Sequence, residues 1–315
     1  MPFVKEKFSV PKTIKAFLYV MQTFGMTQGQ AQRHIAKGRI LINGESIYDA
    51  STTLEAGEIE MVYFKPLSRG LAPILKTQDF MLFDKPSGIM VHPNRMLAPY
   101  SMLDEVRTYG GKDANGTHRI DKETSGLFLA SLNAKSESGL KMLFQERVIQ
   151  KSYLAWVDGK FESPLVVEEP IATLPEHENP NTKHKVHIAP HGKSAKTTFR
   201  PLEYNEAFDV SLVECFPHTG RTHQIRIHLF HVKHPIIGDP IYGTQYAISD
   251  SYLSETLSLE DRAIHTGAKR LLLHANSLKF SFKGCNYTLY SRMDFRSQIE
   301  AITPKEKRHF NRLFS

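Results

Sequence analysis

Between Lys151 and Gly159 the chain reads KSYLAWVDG, and its side chains alternate. Lys151, Tyr153, Ala155 and Val157 fall on one side, Ser152, Leu154 and Trp156 on the other. A period of two belongs to a half-buried strand and is incompatible with a helix. Comparable segments recur from Ile74 onward. FMLFDKPSGIMVHP reads as strand, Pro-Ser-Gly turn and strand; AKTTFRPLEY and FDVSLVECFP read as further strands. SESGLKMLFQERV reads as a helix with Leu140, Leu143 and Phe144 on one face. Strands joined by turns, with few helices among them, predict an α+β domain on a mainly antiparallel sheet. No glycine-rich phosphate loop follows a strand, which argues against a nucleotide cofactor.

A second, smaller unit precedes this one. Over residues 11–65, TIKAFLYVMQTFG places Ile14, Phe17, Leu18 and Met21 at helical spacing, with Thr13 as N-cap and Gly25 as stop. TQGQAQRHIAKG gives a second short helix, capped by Thr27 and ended by Gly38. RILINGESI then reads as a strand, an Asn-Gly turn and a strand, and TLEAGEIEMVYF as another turn and strand. Residues 66–74, PLSRGLAPI, carry two prolines and a glycine and read as a linker to a domain spanning 75–315. Arg33, His34, Lys37 and Arg39 cluster on or just after the second helix. They form either a basic edge or an ordinary solvated face.

Composition narrows the class. Apolar residues at 41% and charged ones at 23% are ordinary for a soluble globular protein. No apolar run approaches a membrane span, and the start MPFVKEKFSV lacks the apolar core of a secretory signal. Cys215 and Cys285 have no metal-type spacing, and so few cysteines suit a reducing compartment. The expected location is therefore cytoplasmic, with no membrane attachment. The formal charge of +7 favours polyanionic partners, although mildly basic proteins are common. The tail PKEKRHFNRLF reads as an amphipathic or unstructured end.

Unusual chemistry gathers in three places. GTHRIDKETSGLFLAS, residues 116–131, holds Asp121 beside His118 and Arg119, at the mouth of an apolar strand. That placement suits a nucleophile or a substrate-facing acid better than a surface loop. QKSYLAWV holds Lys151 and Tyr153, the latter indistinguishable by pattern from a core strand tyrosine. HTGRTHQIRIHLFHVKHPIIGDPIYG predicts a Thr219-Gly220 turn and a helix from His223 to Lys233 with Thr222 as its cap. Ile225, Leu229 and Val232 share a face, and His234-Pro235 ends the helix. Arg221 then sits at a positive helix N-terminus suited to an anion. His218, His223, His228, His231 and His234 invite a metal reading. No HExxH is present, however, and two arginines in the stretch repel a cation, so no metal is expected. Ser125 lacks the G-x-S-x-G elbow of a Ser-His-Asp hydrolase.

HRIDKETSGLFLAS closely resembles the H-R-L-D-x-x-T-S-G signature of the RluA-type pseudouridine synthases, with Ile120 where leucine is usual. DKPSGIMVHP, KSYLAWVDG, HGKSAKTTF, GRTHQIRIHL, HPIIGDPIYG and RLLLHA complete the family's set in its order, within residues 75–290. The unit at 11–65, with its INGE turn and AGEIEMV strand, resembles the alpha-L RNA-binding motif of a small-subunit ribosomal protein.

The resemblance implies an isomerase that detaches uracil from ribose, turns it over and rejoins it through carbon 5. No redox step or outside group transfer occurs, so no cofactor or metal is needed. Asp121 matches the catalytic aspartate, whose role as nucleophile or acid/base stays open. Arg221 matches the arginine that pairs with it, and Tyr153 the tyrosine that stacks on the base, with help in removing the carbon-5 proton as a second role. Arg119 and Lys151 become phosphate or substrate contacts, and His118 either another or a loop fixer. Arg226 is equally an RNA contact or structural, and Leu272 lines the base pocket. Arg33, Lys37 and Arg39 become phosphate contacts of the small domain. The implied partner is RNA, foremost large-subunit (23S) ribosomal RNA, acted on by a monomer with no obligatory protein partner. A transfer RNA loop, or a non-catalytic RNA-binding assembly factor, are the alternatives. Target specificity is expected in loops 94–116 and 174–192.

Overall fold

The computed structural model describes residues 3–93, 100–173 and 185–308. Residues 94–99 and most of the loop at 174–192 therefore lie outside the described residues, as does the tail from 309. The chain divides into two compact units, Met1–Arg69 with Pro93–Thr108, and Gly70–His92 with Tyr109–Ser315.

The smaller unit is a four-stranded antiparallel sheet in the order Phe3–Val10, Gly57–Phe64, Ile40–Ile42, Glu45–Ile47. Two helices, Ala16–Phe24 and Gln28–Ala36, cover it. Local chemistry sets their ends. Gly25 takes the left-handed conformation that stops the first helix (φ 59°), and Thr27 with Gln30 forms a capping box at the second. Asn43 and Gly44, both at positive φ, make the hairpin turn. Thr13 is not the cap; Lys15 occupies that position, and the Thr13 hydroxyl donates to Glu55. The unit also begins earlier than residue 11. The Phe3–Val10 strand pairs along its whole length with Gly57–Phe64. Residues 65–69, which include the first part of the linker expected over 66–74, are irregular yet tied down. The Leu67 N–H donates to Asp104 Oδ1 (3.0 Å) and the Arg69 N–H to Glu105 Oε1 (2.6 Å), both carboxylates being buried.

The larger unit is α+β and carries a ten-stranded sheet. Its main path runs Leu165–Val167, Thr197–Asn205, Val210–Pro217, Gln150–Asp158, Leu273–Phe282, Ser125–Ser131, Phe80–Lys85, Leu75–Lys76. All neighbours are antiparallel except Ser125–Ser131 against Leu273–Phe282. The Gln150–Asp158 strand is central and covered on both faces. Ala155 and Val157 join Phe199, Val213, Leu271 and Leu273 beneath Ile225 and Leu229 of the Gln224–His231 helix. Trp156 joins Val210, Leu212, Ile237, Leu272 and Phe295 on the opposite side. Each such fully buried large apolar side chain contributes about 1.5–3 kcal/mol. Leu140, Leu143 and Phe144 of the Ala134–Gln145 helix close a third cluster.

Two glycines decide how closely segments approach. At Gly126 (φ 100°) an added Cβ would lie 2.3 Å from the Ala275 carbonyl oxygen, where the parallel pair begins. At Gly238 (φ 81°) it would lie 1.8 Å from the Arg270 carbonyl oxygen. The strand expected after Pro86-Ser87-Gly88 does not form. The Lys85 ammonium instead takes the carbonyls of Pro86, Ile89 and Lys122 at 2.9, 2.9 and 3.0 Å, so the backbone there turns inward.

Candidate active site

Asp121 lies in the loop between the short strand Asn115–Gly116 and Ser125–Ser131. Neighbouring groups hold its backbone. Thr124 N–H donates to the Asp121 carbonyl, while Gly88 N–H and the Lys85 ammonium meet at the Lys122 carbonyl. The Ser87 hydroxyl donates to the Glu123 carbonyl (2.6 Å). Glu123 in turn accepts from Arg262 (2.7 Å) and from the Tyr252 hydroxyl (3.1 Å). Burial opposes the Glu123 charge, yet Arg262 holds its carboxyl below the usual range. Burial also pulls Lys85 down to about 7, and three carbonyls, one for each N–H, solvate what proton remains.

The guanidinium at Asp121 is that of Arg226, in place of the expected Arg221. Arg226 is buried and forms a two-pronged pair with buried Asp239, Nε and Nη2 each 2.7 Å from a carboxylate oxygen. Its remaining Nη1 lies 3.4 Å from Asp121 Oδ2. Burial alone would raise Asp239, but Arg226 and the N–H groups of Ile241 and Tyr242 keep its carboxyl low. Arg226 is therefore engaged by two carboxylates, Asp239 tightly and Asp121 at longer range. Arg221 precedes the helix, which starts at Gln224 because His223 takes a left-handed conformation (φ 52°). From there the Arg221 Nε donates to the Ser194 carbonyl (3.0 Å). Gln224 fixes this turn by accepting from Thr219 and the Arg221 N–H and donating to Lys196 and Thr197.

These groups share a cavity of about 470 Å³, within the range of small-ligand pockets. Asp121, Tyr153, His223 and Arg226 line it, with Ile225 and Leu273 as apolar wall. Arg119, Arg147, Lys151 and Arg221 add cations. The carboxylate of Asp121 is 30% exposed, open enough to meet a ligand. Tyr153 stands beside a register slip: Ser152 pairs with Ser277 but Tyr153 with Ala275, leaving Asn276 as the extra residue. Such bulges re-aim side chains near sites. Burial, then the Asp121 charge, push the Tyr153 phenol well above the ordinary tyrosine range. It is a neutral phenol near neutral pH, suited to packing against a ring and poorly suited to take a proton.

Several other expectations move. Leu272 faces Trp156 and Phe295 on the far side of the sheet; its neighbour Leu273 meets the cavity. His118 stacks on Phe144 (4.3 Å, 17°) and its Nε2 accepts from the Leu129 N–H. Burial and nearby Lys151 pull it down to about 3, so it lines the cavity uncharged and fixes the loop. Lys151 is half-buried, which lowers its pKa, and Arg119 is exposed at the rim. In the smaller unit Arg33 and Lys37 are exposed. Arg39 packs over the Phe3 ring at 4.7 Å, with its Nε buried, so it is less available to a phosphate than expected. Among the clustered histidines, His218, His228 and His234 each meet a protein oxygen: Thr198 Oγ1, Thr197 Oγ1 and the Asp158 carbonyl. Ser125 meets His274 at 2.9 Å, but both are buried between strands. Sequence reasoning gave no role to Asp239, Tyr242, Gln224, Lys85 or Arg147; the quoted motifs contain the first four, but nothing in them shows which side chains meet.

A family model described as RNA pseudouridylate synthase matches residues 79–231. A Helicobacter pylori (strain J99) protein described as an uncharacterized RNA pseudouridine synthase is 37% identical over 296 residues, 94% of this chain and 98% of its own. Ribosomal large subunit pseudouridine synthase D of Xanthomonas campestris pv. campestris is 30% identical, over 78% of this chain and 74% of its own. The mitochondrial tRNA pseudouridine(32) synthase of Saccharomyces cerevisiae is 31% identical, over 76% of this chain and 52% of its own. With one relative 37% identical over nearly the whole of both chains and another 30% identical over about three quarters of each, the chain belongs to the RluA-type family of RNA pseudouridine synthases, isomerases that act on RNA.

Proposed function

We propose that Asp121 is the carboxylate that performs the isomerisation, and that the substrate is large-subunit ribosomal RNA. One observation carries the catalytic reading: Arg226 holds Oδ2 of a partly exposed Asp121 in a cavity walled by Tyr153 and Leu273. The reaction breaks the bond from ribose carbon 1′ to uracil nitrogen 1 and forms one from carbon 1′ to carbon 5. The carbon-5 proton is lost and nitrogen 1 gains one, so nothing is oxidised. Oδ1 is the oxygen offered to carbon 1′ or to the ring. Tyr153 rests against the uracil as a neutral phenol; base stacking of this kind contributes about 1–3 kcal/mol. A base inside a duplex cannot reach Asp121 in such a cavity, so the uridine leaves its stack to enter. Arg119, Arg147, Lys151 and Arg221 meet flanking phosphates, and Arg33 and Lys37 of the alpha-L-like unit supply further phosphate contacts.

Ribosomal RNA is favoured by an appended RNA-gripping unit, which suits a large folded target, and by the name of the Xanthomonas relative. It also implies a cytoplasmic protein, and no helix among the described residues is long and apolar enough to cross a membrane. The name of the yeast relative favours a transfer RNA loop as the second reading. Pseudouridine mapping of total RNA, with and without the gene, separates them. Loss confined to transfer RNA would overturn the target and leave the chemistry standing. Asp121→Asn should cut tritium release from carbon-5-labelled RNA by roughly 10³-fold or more, with RNA affinity within about threefold. Near-normal turnover in that variant would remove Asp121 from the mechanism.

A further inference from the structure

His223 lines the cavity with 11% of its side chain exposed, next to Tyr242 and Asp121. Its Nδ1 is 3.0 Å from the Tyr242 hydroxyl, and its Nε2 is 3.7 Å from Asp121 Oδ2. Which nitrogen carries the proton follows from the hydroxyl. Tyr242 is buried, and its oxygen accepts the Val186 N–H at 3.0 Å. Its single proton needs an acceptor, and among the described residues only His223 Nδ1 lies within hydrogen-bonding distance. Nδ1 is thereby an acceptor, and the imidazole proton sits on Nε2, facing the carboxylate. The ring is held edge-on to Tyr242 (5.7 Å, 83°), and Arg226 lies over the same tyrosine ring at 5.1 Å. His223 also adopts the left-handed backbone conformation that non-glycine residues rarely take, a feature that gathers at functional sites.

We infer that His223 is a positioning residue whose Nε2–H, fixed in that tautomer by Tyr242, joins Arg226 in clamping Oδ2 of Asp121 and leaves Oδ1 to react. The Arg226 contact to Oδ2, at 3.4 Å, is a long hydrogen bond, and the His223 contact, at 3.7 Å, is longer than one. They shorten when a nucleoside fills the cavity and displaces water from the carboxylate, as catalytic contacts commonly do. Two donors on one oxygen concentrate the remaining basicity and nucleophilicity on the other. Tyr242 thus acts on the reaction through the imidazole, without touching the substrate.

The inference rests on Asp121 being the reacting carboxylate, and the test keeps the two apart. His223→Leu should lower kcat by roughly 10–100-fold, the size typical of removing an orienting partner, with KM for RNA within about threefold. His223→Gln, which restores an N–H donor, should recover most of that activity. Tyr242→Phe should cause a smaller fall, and His223→Leu/Tyr242→Phe should be no worse than His223→Leu alone. Imidazole ¹⁵N shifts of the wild-type protein should mark His223 as the Nε2–H tautomer, and Tyr242→Phe should mix the tautomers. If Asp121→Asn is inactive while His223→Leu keeps full kcat, or if the spectrum shows Nδ1–H, the inference fails and the role of Asp121 survives. If Asp121→Asn stays active, the underlying reading fails first.

Discussion

Two carboxylates divide one guanidinium unequally. Asp239 takes the fork of Arg226 at 2.7 Å on both prongs, and Asp121 receives only the outer nitrogen at 3.4 Å. The tight pair fixes Arg226, and the loose one leaves Asp121 room to approach a substrate. Asp239→Ala would strand a buried cation and is expected to cost about 3–5 kcal/mol, measured by urea unfolding. It should also lower turnover, because Arg226 would swing toward Asp121 or out of the cavity. Both arginines stand in one motif; the family resemblance points to Arg221 as the partner of Asp121, and its apparent place at a helix start suits an anion. The left-handed His223 moves that start to Gln224 and sends Arg221 toward Ser194. Nothing in residue order betrays such a reversal, because histidine, though more tolerant of it than most non-glycine residues, adopts it only in a minority of cases.

At the level of strands and helices, periodicity was readable wherever hydrophobic residues alternate with distinct partners. The alternation in Lys151–Gly159 places Ala155 and Val157 opposite Trp156, as the clusters do. In RLLLHA it fails, since three successive leucines carry no phase. Cross-strand pairing supplies the phase instead: Ala155 sits beside Leu273, and Leu271 and Leu273 share its face. The strand expected after the Pro-Ser-Gly turn gives way to a bond made far away in sequence, between Lys85 and the Lys122 carbonyl. Gly126 is where Ser125–Ser131 meets Leu273–Phe282 in parallel. Gly126→Ala would push a methyl into the Ala275 carbonyl while forbidding the native φ, and it is expected to cost about 2–4 kcal/mol. A thermal melt that matches the wild type would show that the parallel pair tolerates separation.

Over the molecule as a whole, the charge of +7 and the two compact units suggest binding with a steep salt dependence. Replacing both Arg33 and Lys37 by Gln should flatten the slope of log affinity against log salt by about one for each phosphate no longer neutralised. An unchanged slope on ribosomal RNA would remove the smaller unit from RNA binding. The extent of that unit was only partly legible. Its helices, caps and Asn-Gly hairpin are local and showed in the sequence. The Phe3–Val10 strand and the buried acids Asp104 and Glu105 depend on partners dozens of residues away. The larger sheet has a consequence in time. Leu273–Phe282, later in the chain than both its neighbours, lies between Ser125–Ser131 and Gln150–Asp158, so the strand bearing Tyr153 and the strand after Asp121 share no edge until it inserts. A chain still short of residue 282 has its acid and its phenol on unjoined halves. Fragments ending before Leu273 are therefore expected to show no tritium release from carbon-5-labelled RNA, however well their amino-terminal parts fold.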